Sequence, residues 1–231
     1  MSVTEITRTL PRFDGGLFEV IEASSGVRGP GLVIVSSVYG ATEDLRATMR
    51  RYAASGFVVA APEMFSRTEG GALGQSDEER AKARGRLEGY DFAAGMKEVH
   101  VTMEALRARP DCTGPVAVMG FCFGGEFAYV ATVELGAAAA VSFHGVGIER
   151  HLDLAARVPV PMSLHFGEED RFVPPAVIDQ IEAAHRGMTN VEIYRYPGGK
   201  HGFAQSDSAA YDEDAARLSE ERSLALLARL K

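Results

Sequence analysis

Short apolar runs alternate with longer stretches of helical period along nearly the whole chain. Leu17 to Glu22 alternates apolar with polar residues and reads as an outer strand. Gly31-Leu32-Val33-Ile34-Val35 is continuously apolar, as a strand buried on both faces should be. Thr42-Glu43-Asp44-Leu45 opens a helix with a cap residue and early acids, and Gly56 closes it. Phe57 to Pro62 is the next strand, and the glycine-rich segment Met64 to Gly74 is a loop. Ser76-Asp77-Glu78-Glu79 starts a charged helix, interrupted near Gly89, and Asp91 to Arg109 forms a longer one. Val116 to Met119 is strand-like, Glu126 to Leu135 helix-compatible, and Ala138 to Phe143 and Met162 to Phe166 are further strands. A helix over Pro174 to Gly187, a strand over Val191 to Tyr196 and a helix over Tyr211 to Leu230 complete the pattern. In the last helix Ala215, Leu218, Leu226 and Leu230 are the apolar positions. Strands alternating with helices predict an α/β fold, a mostly parallel sheet with helices on both faces. No composition break or linker appears, so residues 1–231 read as one domain.

Chemistry concentrates at Gly120-Phe121-Cys122-Phe123-Gly124-Gly125, between a predicted strand and a predicted helix. A reactive side chain on a glycine-flanked strand-to-helix turn describes a nucleophile elbow, here with cysteine. The turn strains the backbone, and bulkier neighbours would clash. A helix start beside the sulfur favours a thiolate or an oxyanion. A small buried cysteine in a βα turn would leave the same trace, so the elbow reading calls for an acid and a histidine at later strand ends. Both exist. Asp170 follows the Met162–Phe166 strand in Gly167-Glu168-Glu169-Asp170, where Glu168 and Glu169 are competing acids, and His201 follows the Val191–Tyr196 strand. The order nucleophile, acid, histidine is that of the α/β-hydrolases. His165 lies inside an apolar strand and reads as a buried, satisfied histidine, whereas His144 follows a strand and could line the site or serve structure.

Composition narrows the classes. A formal net charge of −8 argues against nucleic acid or an anionic membrane as partner. No apolar run approaches the ~18 residues of a membrane-spanning helix. Met1 to Arg12 lacks a basic-then-apolar secretory pattern, so a cytoplasmic location is expected, as a monomer or small homo-oligomer. The two cysteines, Cys112 and Cys122, flank one strand and would stand roughly 15 Å apart. A disulfide tolerates at most ~7 Å between Cα atoms, so both are expected as free thiols. The six histidines show no metal-binding spacing, and neither metal nor cofactor is expected.

The sequence resembles the dienelactone hydrolase family from about Gly31 to the C-terminal helix. Gly120 to Gly125 matches that family's cysteine elbow, Gly167 to Pro174 its acid loop and His201-Gly202-Phe203-Ala204 its histidine loop. Tyr90 to Gly95 and His144-Gly145-Val146-Gly147 also look like family segments. The resemblance implies an α/β-hydrolase fold and a hydrolase of small esters or lactones. By position, Cys122 would be nucleophile, His201 base and acid, and Asp170 the orienting carboxylate. Phe123 and Val38 would lend backbone N–H groups to an oxyanion hole, and Arg80, Ser37, Tyr39, His144, Phe203 and Gln205 would meet substrate. Two positions depart from the family. Ser37 stands where it places a thiol-activating glutamate, and Gln205 where it places a carboxylate-binding arginine; Arg80 keeps a second arginine position. A substrate other than dienelactone is therefore expected. A different class, a redox-responsive or binding protein using Cys122 as an oxidisable thiol, would not need His201 and Asp170.

Overall fold

The continuous apolar runs become strands with no exposed face. β3 (Gly29–Val35) and β4 (Val58–Pro62) are buried at every position and pair in parallel. Both faces of a strand can be covered this way only if helices pack on each side. In the computed structural model, which describes residues 2–231, the chain forms two compact units. The first ends at Ala117 and the second is Val118–Lys231, so β5 (Cys112–Phe121) belongs to both.

In the first unit, β1 (Thr4–Pro11) and β2 (Leu17–Ser24) form an antiparallel pair that joins β4 through β2. The outer strand is β1, not the Leu17 segment as expected. β1 buries only Leu10, because a hairpin's outer member needs few core contacts once its backbone is paired. Next come β4, β3 and the leading half of β5. Helix α1 (Glu43–Ala54) is capped by the Thr42 hydroxyl, which accepts from Leu45 N–H, and buries Leu45, Met49 and Tyr52. Helix α2 (Asp77–Gly85) opens on a reciprocal Ser76–Glu79 capping box and stays largely exposed. Helix α3 (Phe92–Arg107), capped by Asp91, lays Val99, Met103 and Leu106 on β3 and β4.

The second unit holds the trailing half of β5, then β6 (Ala140–Phe143), β7 (Met162–Gly167) and β8 (Val191–Tyr196), all parallel. Register places Phe121, Phe143, His165 and Tyr194 side by side. Their rings stack across the sheet with centroids 4.8, 5.0 and 5.2 Å apart. Helices α4 (Phe123–Glu134), α5 (Pro175–Ala184) and α6 (Glu213–Leu227) complete the unit, with a kinked 3₁₀ stretch at Ile148–Arg157. The last helix is shorter than expected, because Asp212 caps it and Leu230 falls in a closing 3₁₀ turn. Its buried face is Ala215, Ser219, Ser223 and Leu226, while Leu218 is exposed. Small serines at helical spacing let α6 approach β7, a face that a search for apolar residues overlooks. The sheet is eight-stranded and mostly parallel. Among the described residues no helix is long and apolar enough to cross a membrane.

Candidate active site

The elbow is built by backbone crowding. Cys122 follows β5 directly and precedes α4, with φ 53° and ψ −117°. This is the strained, positive-φ conformation the turn predicted. Its N–H donates to the Phe143 carbonyl at 3.0 Å, and its own carbonyl accepts from Gly125 and Val146. A Cβ at Gly120 would lie 1.9 Å from the Gly124 carbonyl oxygen, and one at Gly125 would lie 2.5 Å from the Gly145 Cα. Helix α4 can begin this abruptly only because both positions lack a side chain.

Asp170 and His201 follow the ends of β7 and β8. The Asp170 side chain is fully buried; its Oδ1 accepts from the N–H groups of Phe172 (2.8 Å) and Val173 (3.2 Å). The other oxygen lies 2.7 Å from His201 Nδ1. His201 in turn hydrogen-bonds the Cys122 side chain. Burial works against a charged ring, but the hydrogen bonds and charges of Asp170 and Cys122 outweigh it and raise the His201 pKa to about 10. The ring therefore holds its proton at neutral pH. Of the three competing acids, only Asp170 pairs with His201; Glu168 and Glu169 are exposed, anchored by backbone bonds to Tyr196 and Gly199.

Around this series the predicted residues divide. The Phe123 amide is the first of α4, beside the sulfur-bearing residue. His144 is wholly buried with φ 40°, its ring centroid 4.7 Å from that of His201. It touches the site through His201. Phe203, expected to meet substrate, is also wholly buried, clustered with Tyr196 and Ala215 and edge-on to His144. The turn after His201 folds its aromatic side chain inward, where apolar burial outweighs exposure. Gln205 is half-buried in that turn, its N–H donating to the Gly202 carbonyl. His165 is satisfied on both nitrogens, by Tyr196 and by Ser163 and Ser223.

The remaining predicted residues belong to the first unit. Ser37 is buried, its hydroxyl accepting from Tyr39 N–H, and its carbonyl accepts from Gly40 N–H to close a turn. Val38 and Tyr39 are the half-buried corner of that turn. The Val38 carbonyl is held by Arg86, a buried residue that sequence patterning missed. Arg86 also donates to the carbonyls of Glu69 and Gly71, and its guanidinium lies 4.8 Å from the centre of the Phe65 ring. Arg80 on α2 has no ion pair among the described residues, although its neighbour Lys82 pairs with Glu78. Cys112 is buried at the start of β5, and both cysteines are free thiols. Among the described residues no group of three or more His, Cys, Asp or Glu could hold a metal ion.

A family model of the dienelactone hydrolases matches residues 18–230. The chain belongs to the dienelactone hydrolase family. Among relatives of this family, a carboxymethylenebutenolidase of Pseudomonas sp. strain P51 is 30% identical over 88% of this chain and 86% of its own length. A carboxymethylenebutenolidase of Pseudomonas putida is 28% identical over 96% of each chain. A dienelactone hydrolase-like promiscuous phosphotriesterase, P91, from metagenomic libraries superposes with a TM-score of 0.80 at 23% identity, covering 98% of both chains. A solved structure from Klebsiella pneumoniae gives 0.85 at 21% identity over 99% of this chain and all of the other. The fold is that of the α/β-hydrolases, and this dienelactone hydrolase family member is a hydrolase.

Proposed function

We propose that the protein cleaves a small ester or lactone through a Cys122–His201–Asp170 triad and a thioester acyl-enzyme. The observation that carries this reading is the hydrogen-bonded series from Asp170 through His201 to Cys122, on a strained turn opening a helix. With His201 protonated, the sulfur attacks the substrate carbonyl as a thiolate. The oxyanion is held by the N–H of Phe123 at the start of α4; losing such a donor costs roughly 3–4 kcal/mol of transition-state stabilisation. The C–O bond breaks, and His201 gives its proton to the leaving oxygen. It then takes a proton from water, whose oxygen attacks the thioester and releases the acid. Asp170 keeps the ring in its working tautomer.

Relatives named carboxymethylenebutenolidase support an ester or lactone bond as the target. Ser37 and Gln205, in place of the family's glutamate and arginine, point to altered recognition. Arg80, retained at the family's second arginine position, has no ion pair among the described residues. The test is chemical. Mixing with p-nitrophenyl acetate should add one acetyl group to Cys122 by mass spectrometry, and Cys122→Ala should abolish both adduct and turnover. Iodoacetamide should label Cys122 before Cys112, more slowly in His201→Ala. Equal labelling of the two thiols, or turnover surviving in Cys122→Ala, would sink the mechanism.

A further inference from the structure

His144 is wholly buried, yet among the described residues neither of its ring nitrogens has a hydrogen-bond partner. Its backbone is held at φ 40°, and its ring lies against that of His201, centroids 4.7 Å apart at 56°. Its other ring neighbours are Phe203, edge-on at 5.9 Å, and Phe121 at 6.2 Å. A phenyl group would join this aromatic wall with no polar atom unmet, so the imidazole costs folding something that packing does not explain. Whichever nitrogen carries the proton, the other keeps a lone pair that no donor engages. Burial, then the charges of His201 and His165, holds the ring neutral, so that lone pair persists at working pH.

The neighbour that can use a lone pair is the His201 ring, whose charge changes through the proposed cycle. It is positive at rest, neutral once it has protonated the leaving oxygen, and positive again as it takes a proton from the attacking water. We propose that His144 is a positioning residue for the second half of the reaction: its free nitrogen faces the His201 ring and steadies the positive charge that returns there as the thioester is hydrolysed. In that step a water O–H bond breaks, the proton goes to His201, and the water oxygen bonds to the thioester carbon. His144 neither gains nor loses a proton and acts only through the His201 ring. In a site closed to water, a dipole at this range counts for far more than in solvent. The titratable groups facing the two rings are Cys122 from the elbow, Asp170 from the loop after β7 and His165 from β7. Arg171 stands one ring further out, over Phe172.

This inference rests on the proposed triad, and the test separates the two. In single turnovers of the full-length protein with p-nitrophenyl acetate, nitrophenol release times acetylation, and loss of the acetyl group from Cys122 by mass spectrometry times hydrolysis. His144→Phe keeps the ring and should slow hydrolysis about 10-fold, while acetylation stays within about 2-fold. In the free protein the same change should bring the His201 midpoint down by about one unit in a histidine-resolved NMR titration, which still leaves the ring protonated at neutrality. His144→Asn and His144→Gln each return an acceptor atom, and one of them should recover about half or more of the lost hydrolysis rate. Equal slowing of both half-reactions would reduce His144 to packing and overturn the assignment. So would hydrolysis unchanged in His144→Phe, an unmoved His201 midpoint, or recovery in neither amide variant. A wild type that never forms acetyl-Cys122 brings down triad and inference together, whereas an acetyl-enzyme whose hydrolysis is indifferent to His144 leaves the triad standing alone.

Discussion

His165, on β7, and His144, just past the end of neighbouring β6, are both wholly buried and joined by a 2.7 Å bond from His144 N–H to the His165 carbonyl. Their surroundings are opposite. His165 stacks between Phe143 and Tyr194 and hydrogen-bonds one tyrosine and two serines. His144 has no hydrogen-bond partner on either nitrogen among the described residues, and its backbone is held at positive φ. Burial, aided by the nearby Arg222 charge, depresses His165 to about 3. Burial, then the charges of His201 and His165, pushes His144 well below the ordinary range. Both rings are therefore neutral at working pH, yet only one is satisfied. Folds satisfy buried polar groups wherever they can. In this unit, strain and unmet hydrogen bonds gather where Cys122 and His201 meet.

The sharpest break between the buried structural histidine, His165, and the proposed catalytic one lies in turnover. Removing the imidazole of His201 by His201→Ala should lower kcat on short esters by about 10²–10⁴-fold, while His165→Phe should leave kcat within a few-fold. Residual activity in His201→Ala near the wild-type level would mean that His144 takes over as base and is more than a packed neighbour. Stability gives the opposite ranking. His165→Phe leaves Tyr196, Ser163 and Ser223 short of a partner and should cost about 2–4 kcal/mol in urea unfolding. His144→Phe removes only unmet groups and should be neutral or stabilising by up to about 1 kcal/mol. Equal costs would erase the distinction.

Legibility in sequence followed the same line between packing and chemistry. Placement was readable where one residue type stands at one strand end: Cys122, Asp170 and His201 come together as the spacing implied. β8 was readable to the residue, because its run is bounded by turn residues on both sides. β1 was not, because a paired outer strand with seven positions unburied carries almost no apolar signal. Phe203 and Phe172 show the limit more clearly. Both are aromatic residues in loops beside the site, yet one is wholly buried and the other half out in solvent. That outcome depends on how each loop folds back, which no local pattern encodes. Arg86 was equally hidden, since its partners are backbone carbonyls, invisible to any reading of side-chain types.

Protonation should separate the histidines more finely. In a histidine-resolved NMR titration, the His201 ring should stay protonated through neutrality and titrate near 10, while His165 stays neutral down to about 3. Asp170→Asn should bring the His201 midpoint down; an unmoved midpoint would show that Asp170 does not hold that proton. The signs for stability differ. A raised folded pKa makes the His201 contribution complete below about 6.5, the unfolded value, and lost as pH climbs through 10. A depressed one makes the unfolded chain bind more protons, so the His165 contribution is lost as pH falls from about 6.5 towards 3. The smallest expected effect follows: between pH 7 and 4, His165→Phe should lose less unfolding free energy than wild type. A slope equal to that of wild type would show His165 taking up its proton in the folded state.

Arg86 carries a last consequence for the first unit. Elsewhere in that unit a buried carboxylate, Glu98, is held by Arg12 and Arg67, and burial raises its pKa, so acid can neutralise it and slacken both ties. The hydrogen bonds of Arg86 all go to backbone carbonyls, and neither partner in those bonds titrates as acid is added. The Ser37–Gly40 corner is thus fastened by a pin that acid does not loosen. In mild acid the Glu98 ties should give way first, leaving that corner as one of the last ordered parts of its unit.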